Sequence, residues 1–397
     1  MKIGLLREGK IPPDKRVVFS PKQCKEILKL YHDVSIFIQP SEVRCFTDLE
    51  YKKNGVLVQE DLSNCDVIMG VKEVPVEMLI ENKMFFFFSH TIKKQPYNRE
   101  LLKTIIDKKI QLVDYETLVY ENGKRVLGFG RYAGIVGAYN TFLAYGKKST
   151  KYSLKPAHLL EDEKDLYFEL SKVDLPSNFK ILLTGNGRVS KGALEVIKFL
   201  QIQKISKSDF IDKGFNTPTY TQLSSEDYNV RIDNESFSKE DFYKNPTGYK
   251  SCLMDYLLHA NILITGHYYS PGSPVLLSSE DLQNKSLKLE AIGDISCDIA
   301  GPIASTIRPS TIADPVYGYN RFLCVEDDYT KKDVLVVMAV DNLPCSLPKD
   351  ASVDFGTVFI KEVLPDLLTQ KSLISRATIT QNGTLTENFS YLQDYIS

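Results

Sequence analysis

Two titratable side chains follow apolar runs in this 397-residue sequence, and both could move protons. His90 comes two residues after the run Phe85–Phe88, and Lys72 follows the apolar segment "CDVIMGV". An imidazole has an ordinary pKa of about 6.5, which suits proton transfer near neutrality. A lysine would need its pKa lowered from about 10.4, by burial or by neighbouring positive charge, to act as a base. A structural histidine in a polar loop is the alternative explanation for His90.

The position of these side chains depends on the apolar runs being parallel strands. A strand that is buried on both faces need not alternate apolar and polar residues, which accounts for the four consecutive phenylalanines. In open α/β sheets, the carboxyl ends of the strands line the ligand-binding cleft. We therefore interpret Phe85–Phe88 as a strand that directs His90 toward such a cleft.

The segment "KILLTGNGRVSKGAL" predicts a strand, a glycine turn and a helix. Glycines at 185 and 187 permit a tight turn and a close approach to a pyrophosphate, and a helix N-terminus offers free N–H groups. Ser190 replaces the third glycine of the usual pattern, and Gly192 follows two residues later. A strand–turn–helix unit without a nucleotide is the alternative. The residues expected to contact a cofactor here are Gly185, Gly187, Arg188 and Val189.

Asp209 is the candidate for reading the adenine ribose. It follows the glycine turn by about 20 residues, where an acid can hydrogen-bond the ribose hydroxyls and disfavour a 2′-phosphate. Lys204 and Lys207 lie close by and could favour the phosphate instead. The aspartate is the more specific feature, so we predict NAD, with NADP left open.

The rest of the chain alternates apolar runs with amphipathic stretches, which predicts parallel sheets covered by helices and an α/β fold. "PKQCKEILKLY" predicts a helix with Ser20 as its cap. A long helix is predicted around "GRYAGIVGAYNTFLAYGKK", and a strand, a loop and a long helix from "LVVMAVDN" onward. The polar stretch from about 213 to 250 is interpreted as an irregular surface excursion.

Composition argues against several classes of protein. The chain is 43% hydrophobic and 25% charged with a net charge of -2, so neither nucleic acid nor an anionic membrane is an expected partner. No apolar run approaches a transmembrane length, and the first residues do not resemble a signal peptide, so we expect a cytoplasmic protein. The seven cysteines form no CxxC pair, which gives no indication of a metal site.

Seven motifs in order resemble the lysine-forming saccharopine dehydrogenases and the lysine–ketoglutarate reductase half of the bifunctional lysine-degrading enzyme. More distantly, the chain is similar to alanine dehydrogenase and to a subunit of nicotinamide nucleotide transhydrogenase. The motifs are "LREGKIPPDKRVVFSP", "GVKE", "FFFFSHTIKKQ", "RVLGFGRYAGIVGAYN", "GNGRVSKGA", "GDISCD" and "VDNLPCSLPKDAS". The chain stops after "YLQDYIS", so we expect no second catalytic half.

The resemblance implies two Rossmann-like, doubly wound domains with the active site in the cleft between them. A discontinuous substrate domain would comprise 1–137 plus 345–397, and the dinucleotide-binding domain 138–344. It also implies the reaction: saccharopine is oxidised to an imine by hydride transfer to NAD(P) and hydrolysed to L-lysine and 2-oxoglutarate, or formed in reverse. An alanine dehydrogenase-like enzyme and a non-catalytic nucleotide-binding protein remain alternatives.

The resemblance further assigns roles to individual residues. Lys72 and His90 would be the acid–base pair, and Glu116 an acid that moderates both pKa values. Arg16 and Lys93 match substrate-binding cations, and an arginine can bind a carboxylate through two parallel donors. Two residues are placed by their position in the motifs: Arg131 at the cleft and Asp298 near the nicotinamide. Asp294 could share the role of Asp298, and a turn or cap explains either aspartate equally well. Glu73 is either a partner of the site or a surface acid.

Overall fold

The computed structural model describes residues 1–270, 272–369 and 372–397, which form two compact units. Unit 1 comprises Met1–Phe129 and Pro348–Ser397, and unit 2 comprises Gly130–Leu347. The boundaries expected at 137/138 and 344/345 lie eight residues after the first of these and three residues before the second. Among the described residues, no helix is long and apolar enough to cross a membrane.

Unit 1 is built on one eight-stranded sheet, with elements numbered along the whole chain. Its strands are β1 Lys2–Leu5, β2 Ser35–Ile38, β3 Leu57–Val58, β4 Val67–Met69, β5 Met84–Phe87, β6 Gln111–Asp114, β17 Thr378–Gln381 and β18 Thr384–Leu385. The order is β18-β17-β6-β5-β4-β1-β2-β3. Strands β1 to β6 run parallel, and β17 joins β6 antiparallel. Because the chain first builds outward from β1 through β2 and then returns to β4, the strand order reverses between β1 and β4.

Helices cover this sheet and bury its strands. They are α1 Pro21–Leu30, α2 Asp48–Lys53, α3 Arg99–Asp107, α12 Pro348–Val358, a π-helical segment Phe359–Val363, α13 Leu364–Thr369, α14 Ser372–Ala377 and α15 Gln393–Ile396. Short 3-10 turns lie at Val76–Met78, Thr91–Lys93, Pro96–Asn98 and Glu387–Leu392. Ser20 caps α1 by accepting from the Gln23 amide, as predicted. Phe85, Phe86 and Phe87 are completely buried, which confirms a strand covered on both faces.

Unit 2 contains a second eight-stranded sheet and a small hairpin. Its strands are β7 Lys180–Thr184, β8 Gln203–Lys204, β9 Thr219–Leu223, β10 Asn229–Arg231, β11 Tyr249–Ser251, β12 Ile262–Thr265, β13 Ala291–Asp294, β14 Val316–Asn320, β15 Val325–Asp327 and β16 Val334–Met338. The order is β15-β14-β16-β13-β12-β7-β9-β8, and β10 pairs separately with β11. The six strands from β16 to β8 are parallel, whereas β14 and β15 are antiparallel additions.

The interpretation of 213–250 as an irregular surface excursion is wrong for its first part. Residues 219–223 form β9, which pairs with β7 along five positions and lies inside the sheet. The sequence "TYTQL" is polar, so it lacks the apolar run that marked the other strands. Nevertheless Thr219, Tyr220, Thr221 and Leu223 are all buried. Threonine and tyrosine favour strands, and the Thr221 hydroxyl donates to the Ile205 carbonyl at 3.3 Å.

The helices of unit 2 are α4 Gly130–Ser149, α5 Glu163–Leu170, α6 Arg188–Phe199, α7 Lys207–Asp212, α8 Ser225–Tyr228, α9 Lys239–Lys244, α10 Met254–Leu257 and α11 Ser279–Leu282, with 3-10 turns at Ala157–Leu159, Pro246–Gly248 and Leu343–Ser346.

Two glycines bring α4 and α6 of unit 2 together. A Cβ on Gly134 would lie 1.9 Å from the carbonyl oxygen of Val189, and one on Gly192 would lie 1.9 Å from that of Arg131. The backbones of α4 and α6 therefore touch, and this contact fixes the helix that follows the glycine turn.

Candidate active site

Charged side chains follow four neighbouring strands of unit 1. Glu8 comes after β1, Lys72 after β4, His90 after β5 and Glu116 after β6. These strands are parallel, so their carboxyl ends share one edge of the sheet. That edge includes the point between β1 and β4 where the strand order reverses, which is the usual ligand position in open α/β sheets.

His90 is held by a carboxylate on the neighbouring loop. The Nδ1 atom of His90 lies 2.6 Å from Oε1 of Glu73, and the Lys10 ammonium donates to Oε2 of Glu73 at 3.0 Å. Burial alone would raise the pKa of Glu73, but its hydrogen bonds with His90 and Lys10 bring that pKa down to about 2. Glu73 is therefore an ionised acceptor, so Nδ1 of His90 carries the hydrogen. A neutral His90 then has its lone pair on Nε2, the atom that can accept a proton.

The backbone at His90 adopts a conformation that side chains rarely take. Its φ angle is +53°, in the left-handed region. The ring also stacks against Phe88, with centroids 6.3 Å apart and planes 20° apart. Such a conformation costs free energy and persists only where the surroundings enforce it. The end of β5 thus fixes the direction of the imidazole.

Lys72 occupies an environment that suits a base. Burial lowers the pKa of its ammonium, and the positive charges of Arg16 and Lys10 lower it further. A lowered pKa is the condition under which Lys72 can act as a base. The backbone amide of Lys72 donates to Oε2 of Glu8 at 2.8 Å, and the Val71 amide donates to Oε1 at 2.6 Å. Glu8 therefore ties the loop that carries Lys72 and Glu73 to the end of β1.

Glu8 is itself a strongly perturbed acid. Burial raises the pKa of its carboxyl to about 7, the negative charge of Asp14 adds to the rise, and the two backbone hydrogen bonds oppose it. Its position at the reversal of strand order puts a group that titrates near neutrality at the centre of the site.

Arg16 is buried and already engaged by an acid. Its Nε and Nη2 atoms donate to the two carboxylate oxygens of Asp14 at 3.0 and 2.6 Å. Its guanidinium lies 4.1 Å from the centroid of the Phe129 ring. The pair fixes the guanidinium plane, which two-point recognition of a carboxylate requires. Binding of a substrate carboxylate by Arg16 remains a prediction.

Glu116 contacts two cations other than Lys72 and His90, and its role in moderating the pKa values of that pair remains a prediction. Glu116 accepts from Arg125 at 2.7 Å and lies 3.7 Å from the Lys93 ammonium. The Lys93 and Arg125 side chains are each about half exposed beside the Glu116 carboxylate. Lys93, predicted to bind substrate, is thus oriented by Glu116.

Asp114 anchors the two loops that bear His90 and Glu116. Its buried carboxylate accepts from the Ser89 amide at 2.8 Å and the Glu116 amide at 2.7 Å. Ser89 immediately precedes His90, so one carboxylate at the end of β6 positions both loops.

Arg131 lies in unit 2 and has acidic partners there. It donates to both oxygens of Glu195 at 2.8 and 2.6 Å and lies 3.7 Å from Glu163. These contacts join α4 to α6 and α5. A role in substrate binding for Arg131 remains a prediction.

The glycine turn of unit 2 has features that fit a dinucleotide. Gly185 has a φ of +86°, and a Cβ there would lie 2.4 Å from the carbonyl oxygen of Gly266. Gly187 precedes α6, which begins at Arg188, and a Cβ on Gly187 would meet nothing within 4 Å. This leaves room for a phosphate at the N-terminus of a twelve-residue helix. Ser190, at the position of the missing glycine, is buried and donates to the carbonyl of Thr184 or Gly266.

A buried histidine beside this turn has an unsatisfied nitrogen. Nδ1 of His267 lies 2.7 Å from the Thr184 hydroxyl, while Nε2 has no hydrogen-bond partner among the described residues. Burial lowers the pKa of His267 to about 4, against the opposing charge of Asp294, so it is neutral at pH 7. An orphaned buried polar atom next to the turn is consistent with a bound polar ligand.

Asp209 does not occupy the place expected of a ribose-binding acid. It lies within α7, and its carboxylate pairs with Lys213 at 2.8 Å. The strand before it, β8, pairs with β9 and not with β7. The prediction from sequence spacing required β8, the next strand along the chain, to be the neighbour of β7. In the sheet that neighbour is β9.

Asp298 and Asp294 lie in the region after β13. The carbonyl of Asp298 accepts from the Gly301 amide at 3.0 Å in a tight turn. Asp294 is completely buried and accepts from the hydroxyls of Thr265, Ser296 and Thr306. The turn explanation therefore accounts for Asp298, whose contact with a nicotinamide remains a prediction.

Glu8, Lys10 and Asp14 were not predicted from the sequence, and Glu73 was left unassigned, although all four lie in the motifs given above. Glu8 follows the buried strand β1, so the rule that identified Lys72 and His90 would have found it too. The contact between Glu73 and His90 joins two loops 17 residues apart and depends on the pairing of β4 with β5.

Comparison with known proteins defines the class first. The family described as alanine dehydrogenase/PNT, N-terminal domain, matches residues 4–136. An L-alanine dehydrogenase structure aligns over 100% of this chain and 99% of its own with a TM-score of 0.64 at 16% identity. The transhydrogenase from Sinorhizobium meliloti aligns over 97% and 100% with a TM-score of 0.61 at 13% identity. The chain therefore has the two-domain α/β fold of alanine dehydrogenase and transhydrogenase, and residues 4–136 match the family model.

Within that class, the relatives in sequence are more specific. Alpha-aminoadipic semialdehyde synthase from Mus musculus is 31% identical over 98% of this chain and 47% of its own length. The enzyme of that name from Arabidopsis thaliana is 30% identical over 98% and 41%. Saccharopine dehydrogenase [NAD(+), L-lysine-forming] from Candida albicans is 25% identical over 91% and 90%. The chain is thus a homologue of these proteins, and it spans about half the length of the semialdehyde synthases.

Proposed function

We propose that this chain is a pyridine-nucleotide-dependent oxidoreductase that interconverts saccharopine with L-lysine and 2-oxoglutarate. The observation that carries the proposal is the cluster of His90, Glu73 and Lys72 at the strand-order reversal of unit 1. The names of the homologues support the substrate class. The glycine turn of unit 2 supports the cofactor class.

The reaction needs groups that move protons at the amine nitrogen and at the oxygen of the water that adds to the imine. A bound nicotinamide would accept or donate the hydride. Glu73 holds the hydrogen on Nδ1 of His90, so Nε2 is the atom that takes or returns a proton. Lys72, with its pKa lowered by burial and by Arg16 and Lys10, supplies a second base at the same edge. Two bases with different environments can serve the amine and the attacking water separately.

The substrates also carry several carboxylates, which require cations. Arg16 presents a guanidinium whose plane is fixed by Asp14 and Phe129. Lys93 is about half exposed and oriented by Glu116. We infer that these two cations bind substrate carboxylates and that Lys72 and His90 act on the carbon–nitrogen bond between them.

The test follows the absorbance of reduced nicotinamide with purified protein, lysine and 2-oxoglutarate, once with NADH and once with NADPH. We expect oxidation only when both substrates are present. The reverse assay with saccharopine should reduce the oxidised cofactor. Oxidation with pyruvate and ammonia but not with lysine would replace the proposal with an alanine dehydrogenase-like activity. Nucleotide binding with no turnover on any of these substrates would indicate a non-catalytic protein.

A further inference from the structure

We propose that the segment Ser224–Glu226, at the carboxyl end of β9, reads the adenosine ribose, and that Glu226 makes the site select NAD over NADP. This inference rests on the proposed function, because it concerns the cofactor of the same reaction. It replaces Asp209, to which sequence spacing had given this role.

The position of a ribose-binding acid depends on which strand borders the glycine turn. In dinucleotide-binding sheets, the ribose-reading acid sits at the end of the strand adjacent to the first one. In unit 2 the strand adjacent to β7 is β9, and β8 lies beyond it at the edge. The Gly185 amide donates to the Leu223 carbonyl at 2.7 Å, and the Gln222 side-chain amide donates to the Gly185 carbonyl at 2.8 Å. The end of β9 and the glycine turn are therefore joined directly.

The residues that follow β9 have the chemistry to bind a diol. Ser224 and Ser225 bring hydroxyls, and Glu226 brings an exposed carboxylate. The Ser224 hydroxyl lies 2.8 Å from Oδ2 of Asp227 and 3.1 Å from Oε1 of Glu226, so the serine and both acids form one polar cluster. A carboxylate can accept from both ribose hydroxyls, whereas a 2′-phosphate beside it would meet like charge.

Two cations near this segment are already paired with acids. Lys207 on α7 is paired with Asp227, whose carboxylate also accepts from the Ser224 amide. Arg231 at the end of β10 is held by Asp233 and Asp241. Lys204, on the edge strand β8, is the cation that would compete for a 2′-phosphate. The Glu226 carboxylate, which follows the strand next to β7, favours a ribose without that phosphate.

The experiment measures equilibrium binding of NADH and NADPH to the full chain by the fluorescence of the reduced nicotinamide, without substrate. Wild type should bind NADH more tightly. Glu226→Gln should reduce the ratio of the two dissociation constants by roughly tenfold, since one charged hydrogen bond and one repulsion are lost. Glu226→Asp should retain the preference for NADH. The double variant Ser225→Arg with Glu226→Gln should bind NADPH more tightly than NADH.

Two further variants make the test decisive. Asp209→Asn distinguishes the two candidate positions, because our inference predicts an unchanged ratio for it. Glu240→Gln removes an exposed carboxylate on α9 that pairs with Lys244, and it serves as the matched charge control. A ratio that responds to Asp209→Asn and not to Glu226→Gln would overturn the inference, as would a wild type that prefers NADPH. If neither nucleotide binds to wild type, the proposed function itself fails.

Discussion

The two units present different chemistry at the same kind of sheet edge. In unit 1 the strand ends carry Glu8, Lys72 and His90; the Glu8 carboxylate accepts from two backbone amides, and the Glu73 carboxylate holds His90. In unit 2 the strand ends carry glycines, with hydroxyls and a neutral histidine around them. An edge lined by opposed charges perturbs pKa values and suits proton transfer. A sheet edge where glycines leave the backbone uncovered by side chains allows a phosphate to approach closely. Under the proposed function, similar parallel sheets would support a reaction in one unit and cofactor recognition in the other.

The largest expected effect separates chemistry from packing within unit 1. His90→Ala should lower kcat by about 10²–10⁴-fold, the usual contribution of a general acid–base group, while the free energy of unfolding changes little. Phe86→Ala, four residues earlier and within β5, should instead lower the free energy of unfolding by about 3–5 kcal/mol because Phe86 is completely buried. Steady-state kinetics and urea denaturation of both variants test this contrast. An unfolded His90→Ala would assign the histidine a structural role instead.

A second effect concerns the buried acid of unit 1. The Glu8 pKa is raised by burial from 4.5 to about 7, so between these values the native state binds more protons than the unfolded state. Stability contributed by this group is therefore present below pH 4.5 and is lost as the pH rises through 7. Glu8→Gln should remove this dependence, which amounts to about 3 kcal/mol. Urea denaturation from pH 4.5 to 8 measures it, with exposed Glu100→Gln as the control. Parallel curves for wild type and Glu8→Gln would contradict the prediction.

The smallest expected effect concerns the glycines of unit 2. Gly187→Ala should leave the free energy of unfolding unchanged, because its Cβ would meet nothing within 4 Å. The same Cβ should weaken NADH binding by roughly tenfold or more, because it would occupy the space that a phosphate of the cofactor approaches. Gly134→Ala should lower the free energy of unfolding by about 1–3 kcal/mol, because its Cβ would collide with α6. Gly214→Ala, also in open space, is the control for both measurements. Unchanged binding in Gly187→Ala would argue against a phosphate at this turn.

Much of the fold could be predicted from the sequence because most strands are apolar runs and most helices are amphipathic. Strand β9 was missed because polar residues fill it, and β17 because "TITQ" pairs with β6 from a distant part of the chain. The site was predicted where a charged residue directly follows a buried strand. Its internal contacts, such as Glu73 with His90 and Glu8 with the Lys72 amide, depend on which strands are neighbours. Linear spacing does not contain that information, and Asp209 shows the consequence.

The discontinuity of unit 1 bears on the order in which the protein folds. Phe355 and Phe359 pack against Phe88, Tyr115 and Phe19, and β17 extends the sheet beyond β6. All of these contacts join the first third of the chain to its last fifty residues. Loop closure over so long a separation is slow, whereas unit 2 is continuous in sequence. We therefore expect unit 2 to fold first during synthesis, and the sheet edge of unit 1 that carries Lys72 and His90 to form last.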